Sequence, residues 1–109
     1  MAAKQDDSTQ AKEPFSVDKG VLQANTDLYW NYLEEFEVAC AKVLASRRSE
    51  IEIDLTDVNF ISSSFLGCLN NLVLQAGKLK KHVSLKVSQD VSWLFEIMGS
   101  RRNLDMQVV

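Results

Sequence analysis

The chain has 109 residues, 46% hydrophobic and 25% charged, with a formal net charge of -3. That suits one soluble domain, long enough to build a hydrophobic core without disulfide or metal staples. The mild acidity argues against a nucleic-acid binder, which carries a basic face, and no apolar run approaches the length needed to insert through a bilayer.

Met1 to Glu13 is polar and mixed in charge. It lacks the apolar core of a secretory signal, so residues 1–13 read as a flexible tail and the protein as cytoplasmic. Pro14 closes the tail. Phe15 to Val17 then reads as a short strand, Asp18-Lys19-Gly20 as a turn, and Val21 to about Thr26 as the return strand.

Asn31 to Ser46 reads as a helix. Leu33, Phe36, Cys40, Val43 and Leu44 share one face at spacings of three and four. Asn31 followed by Glu34 resembles a capping pair. Arg47 and Arg48 fall where cations favour the negative end of the helix dipole.

Ile51-Glu52-Ile53-Asp54-Leu55 alternates apolar and acidic residues, the pattern of a strand with one buried face. Thr56 to Asn59 turns the chain, and Phe60-Ile61 leads into Ser62-Ser63-Ser64. A second helix is expected from about Ser64 to Lys81, with a stripe at Leu66, Leu69, Leu72 or Val73, Ala76 and Leu79. Val83 to Val87 alternates again as a strand. Ser88 suits the N-cap of a short helix carrying Val91, Leu94, Phe95 and Met98, which Gly99 would end. Leu104 to Val109 reads as a last strand. The order β-β-α-β-α-β-α-β implies an α/β fold: a small mixed sheet with amphipathic helices packed on one side.

Enzyme signatures are scarce. The glycines are scattered, so no phosphate loop forms, and no GxSxG elbow surrounds the serines. His82 is the sole histidine, expected on the surface at the far end of the second helix from the serines, which disfavours a triad. Cys40 and Cys68 have no CxxC or Cys/His spacing and read as buried, reduced core thiols. Asp54 and Asp57 read as strand-end and turn residues, with a cation- or phosphate-sensing cluster as the alternative. No metal, no cofactor and no enzymatic activity is expected.

The serines stand where a strand hands over to a helix. One serine oxygen is enough to cap the exposed amides, an interaction of about 1 kcal/mol. Three leave a hydroxyl spare at a strand's carboxyl end, where α/β proteins place their sites. A phosphate there would add about -1.5 to -2 charges facing a positive helix end, so it would change the surface rather than unfold the domain. Phe65 either packs inward or stands out as a partner anchor. Trp93 falls off the third helix's stripe and is expected to be partly exposed.

The run Ile51 to Gly67 resembles the central signature of STAS domains, the fold of bacterial anti-sigma factor antagonists. That family has an apolar strand ending in Asp-Leu, a turn, an apolar pair, then Asp-Ser-Ser/Thr-Gly-Leu-Gly opening a helix. Val83 to Gly99 is similar to the family's next strand, turn and helix. The resemblance covers residues 15 to 109 and implies a tail of residues 1–13 and a STAS domain of residues 14–109. It implies an antagonist in a partner-switching pathway, a monomer when free. Unphosphorylated, such a protein binds an anti-sigma factor that is also a serine kinase of the GHKL type. It is released on phosphorylation and reset by a phosphoserine phosphatase. Aligned on Phe60-Ile61 and Leu66-Gly67, the phosphoacceptor falls on Ser63, with Ser62 and Ser64 as alternatives. Partner contacts fall on Ser62, Ser63, Ser64, Phe65, Asp27 and Asp57. Ser62 stands where the family has Asp, Phe65 where it has Gly, and Thr26-Asp27-Leu28-Tyr29 where it has Gly-Glu-Leu-Asp. Ser62 and Phe65 break the switch motif and slightly favour the alternative to this leading reading, a STAS scaffold or accessory subunit, without a phosphoswitch, in a signalling or lipid-transport complex.

Overall fold

The computed structural model describes residues 13–98 and 104–109. The expected tail, apart from Glu13, and the expected helix stop at Gly99 lie outside these residues. The elements are β1 (Phe15–Asp18), β2 (Val21–Ala24), α1 (Leu33–Leu44), β3 (Glu50–Leu55), α2 (Ser63–Lys78), β4 (His82–Val87), α3 (Gln89–Ile97) and β5 (Asp105–Val108). The strands form one sheet in the order β1-β2-β3-β4-β5. β1 and β2 are antiparallel, and every later neighbour is parallel.

The strand order explains where the helices lie. Each crossover moves one strand further in the same direction, and parallel crossovers are right-handed. α1, α2 and α3 therefore all fall on one face. Leu22, Ile53 and Leu85 are register partners across the sheet and are fully buried beneath them. Gln23, Asp54, Lys86 and Gln107 form the matching row on the opposite face, which is polar and partly open. There Lys86 Nζ lies 3.5 Å from Glu52 Oε1.

The hairpin turn is legible in its residues. Asp18 pairs with Val21, so Lys19 and Gly20 form a two-residue loop with φ of 51° and 81°. Positive φ at both positions is what a type I′ turn requires. Gly20 is also crowded: a Cβ would stand 3.0 Å from Arg48 Cγ and 3.1 Å from the Glu50 carbonyl. The Gly20 carbonyl accepts the Glu52 amide at 2.9 Å, which joins the hairpin to β3.

Both long helices are shorter than their periodicity suggests. α1 begins at Leu33 because Trp30–Tyr32 forms a 3-10 turn ahead of it, and no side chain caps it, so Asn31 is not a cap. α2 ends at Lys78 rather than Lys81. Lys80 takes a φ of 59°, its amide reaches the Gly77 carbonyl at 3.0 Å, and the Lys81 amide reaches Ala76 at 2.8 Å. This is a Schellman stop with lysine where glycine is usual. It aims Lys81 Nζ at the last carbonyls of α1, donating to Leu44 O at 2.9 Å and to Ser46 O. A cation at the negative end of α1 thus comes from the loop between α2 and β4. α3 does carry the expected cap: Ser88 Oγ accepts from the Val91 amide at 3.2 Å.

Aromatic packing ties hairpin to helices. The Phe15 and Phe36 rings lie 5.3 Å apart, and the Phe36 and Phe65 rings 5.1 Å, both tilted. Phe36 and Phe65 are fully buried, each contributing about 1.5–3 kcal/mol by removal from water.

Candidate functional site

The loop after β3 is built from its own polar side chains. Asp54 Oδ1 accepts from the Thr56 amide at 3.0 Å and from Thr56 Oγ1 at 2.8 Å. That is turn formation, and Asp57 stands exposed beside it without joining a cluster. Val58 is buried, and its carbonyl accepts from Ser88 Oγ at 2.6 Å. Asp27 Oδ1 accepts from the Asn59 amide at 2.8 Å, holding the loop to the segment after β2. Among the described residues no group of three or more His, Cys, Asp or Glu side chains is placed to hold a metal ion.

One bridge then sets the site. Leu28 pairs in parallel with Ile61, its amide donating to Phe60 O at 2.8 Å and its carbonyl accepting from Ser62 N at 2.9 Å. This extends the β2–β3 pairing past the strands' carboxyl ends. It buries Leu28 and Ile61 and turns their neighbours outward. Tyr29 and Phe60 stack with centroids 5.0 Å apart and planes 25° apart, and Trp30 beside them is 78% exposed. The three exposed rings lie on the two segments that the Leu28–Ile61 bridge brings together ahead of the serine turn.

The serines do not divide their work as expected. Ser62 occupies the N-cap position with extended ψ, but its side chain caps nothing. Its backbone carbonyl accepts from Phe65 N at 3.1 Å, while its hydroxyl shares a 3.1 Å hydrogen bond with Ser64 Oγ. The first-turn amides of α2 are thus left without a side-chain acceptor. Ser63 opens the helix, exposed, its hydroxyl without a partner among the described residues. The difference from Ser88 is tertiary: Ser62 is pinned through its amide to Leu28, and its hydroxyl turns to Ser64 instead of the helix.

Phe65 is not a surface anchor. It is fully buried against Phe36 and belongs to the core. Its spacing to Leu69 and Leu72 places it on the inner stripe. The exposed aromatics of this end are instead Tyr29, Trp30 and Phe60, which sequence reasoning passed over. The available signal was the run Tyr29-Trp30 directly before a helix, and Phe60 breaking the turn's polarity. Trp93 is 63% exposed, on α3.

His82 opens β4, and its Nε2 lies 2.6 Å from Asp105 Oδ2. Glu50 pairs with His82 and Leu55 with Val87, so the histidine sits a whole strand length from the serine turn, roughly 17 Å by strand rise. No Ser-His pair forms. Cys40 is buried, but Cys68 is only half-buried. Both line a groove between α1 and α2 that also takes in Ser64 and Gly67. A second, larger groove between β1 and α1 lies among Glu34, Glu35 and Glu37, away from the serines.

The chain matches the family model described as "Mlab, STAS domain" over residues 12–106. No curated protein sequence matches it. Its fold is similar to the crystal structure of a proposed anti-sigma factor antagonist from Thermotoga maritima. The TM-score is 0.66 at 17% sequence identity, covering 88% of this chain and 85% of that one. With the helices on one face of a sequentially ordered sheet and the serine turn opening the second of them, the chain belongs to the Mlab STAS-domain family.

Proposed function

We propose that the chain is an anti-sigma factor antagonist that works by partner switching and carries out no catalysis itself. Its docking surface is the start of α2, Ser62, Ser63 and Ser64, with the rings of Tyr29, Trp30 and Phe60 alongside. Asp27 and Asp57 lie at its edge. Unphosphorylated, it binds an anti-sigma factor that is also a serine kinase of the GHKL type, and so acts on transcription in the cytoplasm. Phosphate on Ser63 releases it, and a phosphoserine phosphatase restores it. ATP belongs to the kinase.

The observation that carries this reading is the state of Ser63: exposed and unpartnered at the head of α2, beside an exposed aromatic patch. A phosphate there meets open helix amides, which favour negative charge, so the fold tolerates it. A partner seated on the rings meets a hydrated dianion instead of a hydroxyl. Exposed Trp and Tyr are the residues that anchor protein interfaces.

A second reading is an accessory STAS subunit that docks constitutively in a signalling or lipid-transport complex. It is favoured by Ser62 and Phe65 standing where the switch motif has Asp and Gly. The test is binding to the serine-kinase candidates of the same genome by wild type, Ser63→Ala and Ser63→Asp, with phosphosite mapping after ATP. Phosphate on Ser63, and an affinity lower by a factor of ten or more (about 1.4 kcal/mol) for Ser63→Asp alone, supports the switch. Equal affinities for all three, without phosphate, sink the switch and leave the constitutive subunit.

A further inference from the structure

Cys40 lies on the buried face of α1 and Cys68 on α2, both free thiols lining the groove between the two helices. They are not two separate core residues. Both line one groove, and each thiol is the strongest influence on the other's ionisation. The environment is asymmetric: Cys40 is buried, whereas Cys68 is half-buried on the groove that runs on to Ser64. The neighbouring Cys40 thiol lowers the Cys68 thiol below its ordinary value, against the opposing effect of burial. The Cys68 thiol in turn, with burial, raises Cys40. A thiolate forms first on the sulfur a small oxidant can reach, with a protonated thiol beside it.

We propose that Cys40 and Cys68 form a reversible redox-modification site, in which a hydroperoxide converts the facing thiols into a disulfide that fastens α1 to α2. The Cys68 thiolate attacks a peroxide oxygen. An S–O bond forms, the O–O bond breaks, and the departing oxygen takes up a proton to leave as alcohol or water. The Cys40 sulfur then attacks the Cys68 sulfenic acid. The S–S bond forms, the S–O bond breaks, and the hydroxyl departs with the Cys40 proton as water. Two thiols lose two electrons and the hydroperoxide gains them. A small dithiol reverses the bond by exchange.

The cross-link closes a loop that contains all of β3 and the whole serine turn. Closing a loop of that length restricts the unfolded chain, so the oxidised protein unfolds at a higher temperature than the reduced one. A reduced compartment keeps such a pair open by default, and that suits a transient bond rather than a structural one. The inference stands on the thiol pair and does not depend on what docks at the serines.

The reduced full-length protein is treated with hydrogen peroxide, blocked by alkylation and digested with trypsin. Cys40 and Cys68 then fall in separate peptides, residues 20–42 and 49–78. The expected result is a monomer lighter by two hydrogens, those peptides joined, a raised unfolding midpoint, and full reversal by dithiothreitol. Cys40→Ala should stop at a dimedone-reactive sulfenic acid on Cys68, while Cys68→Ala leaves Cys40 unoxidised over the same time. A linked peptide that appears only after denaturation, disulfide-bonded dimers in place of the monomeric link, or oxidation of Cys40 first would each overturn the assignment.

Discussion

At the amino ends of β3 and β4, Lys81 and His82 turn back onto the protein, whereas at the carboxyl ends Ser63 and Trp30 turn out to water. Lys81 spends its ammonium on the last carbonyls of α1, the His82 amide donates to Ser49 O at 2.8 Å, and the His82 ring meets Asp105. The other end is anchored as firmly through its backbone, by Leu28 on both sides of Ile61 and by Asp27 on Asn59. The side chains of Ser63 and Trp30 nevertheless stay open to water. A surface held underneath and open on top suits the docking role proposed for it. The closed end holds its polar groups against the protein itself.

The comparison breaks most visibly if Phe65 is touched. Phe65→Ala should cost about 3–5 kcal/mol of folding free energy, read by urea denaturation, because it opens a cavity against Phe36. A small loss would mean that the ring is not core. Trp30→Ala should do the reverse: its unfolding midpoint should stay near wild type, while affinity for the docking partner falls by about 2 kcal/mol, measured by calorimetry. Lys81→Ala sharpens the contrast at the closed end. It should cost about 1–3 kcal/mol of stability, since the α1 carbonyls lose a charged donor, and leave partner affinity unchanged. Lys80→Gly should add about 1 kcal/mol by relieving the left-handed backbone. Ser62→Asp should be the smallest of the set, adding about 0.3–1 kcal/mol by placing charge at the uncapped start of α2. Its gain should shrink in high salt.

How much of this was legible in the sequence depends on the range of the interactions. Ile51, Ile53 and Leu55 announce a half-buried strand by alternation, and the structure buries all three. Asp18-Lys19-Gly20 announces its turn, and Ser88 its cap. These signals are local. The start of α1 was misread because Trp30–Tyr32 forms a tighter turn that no capping pattern marks. The end of α2 was misread because three lysines continue the helical composition past a left-handed residue. The aromatic patch was invisible for a different reason. Tyr29 meets Phe60 only because Leu28 pairs with Ile61, a contact between segments about thirty residues apart that no local pattern encodes. Ser62 failed to cap α2 for the same cause, since its amide answers to Leu28.

The strand order β1-β2-β3-β4-β5 bears on how the chain comes into being. No strand must wait for a later segment to be inserted beside it: each pairs with the one made just before. The separations bridged are those of a single crossover, which keeps contact order moderate and loop-closure costs small. As the nascent chain emerges from the ribosome, the hairpin offers a finished edge to β3, β3 to β4, and β4 to β5. Synthesis and folding can therefore run in the same direction, each new strand finding its template already built.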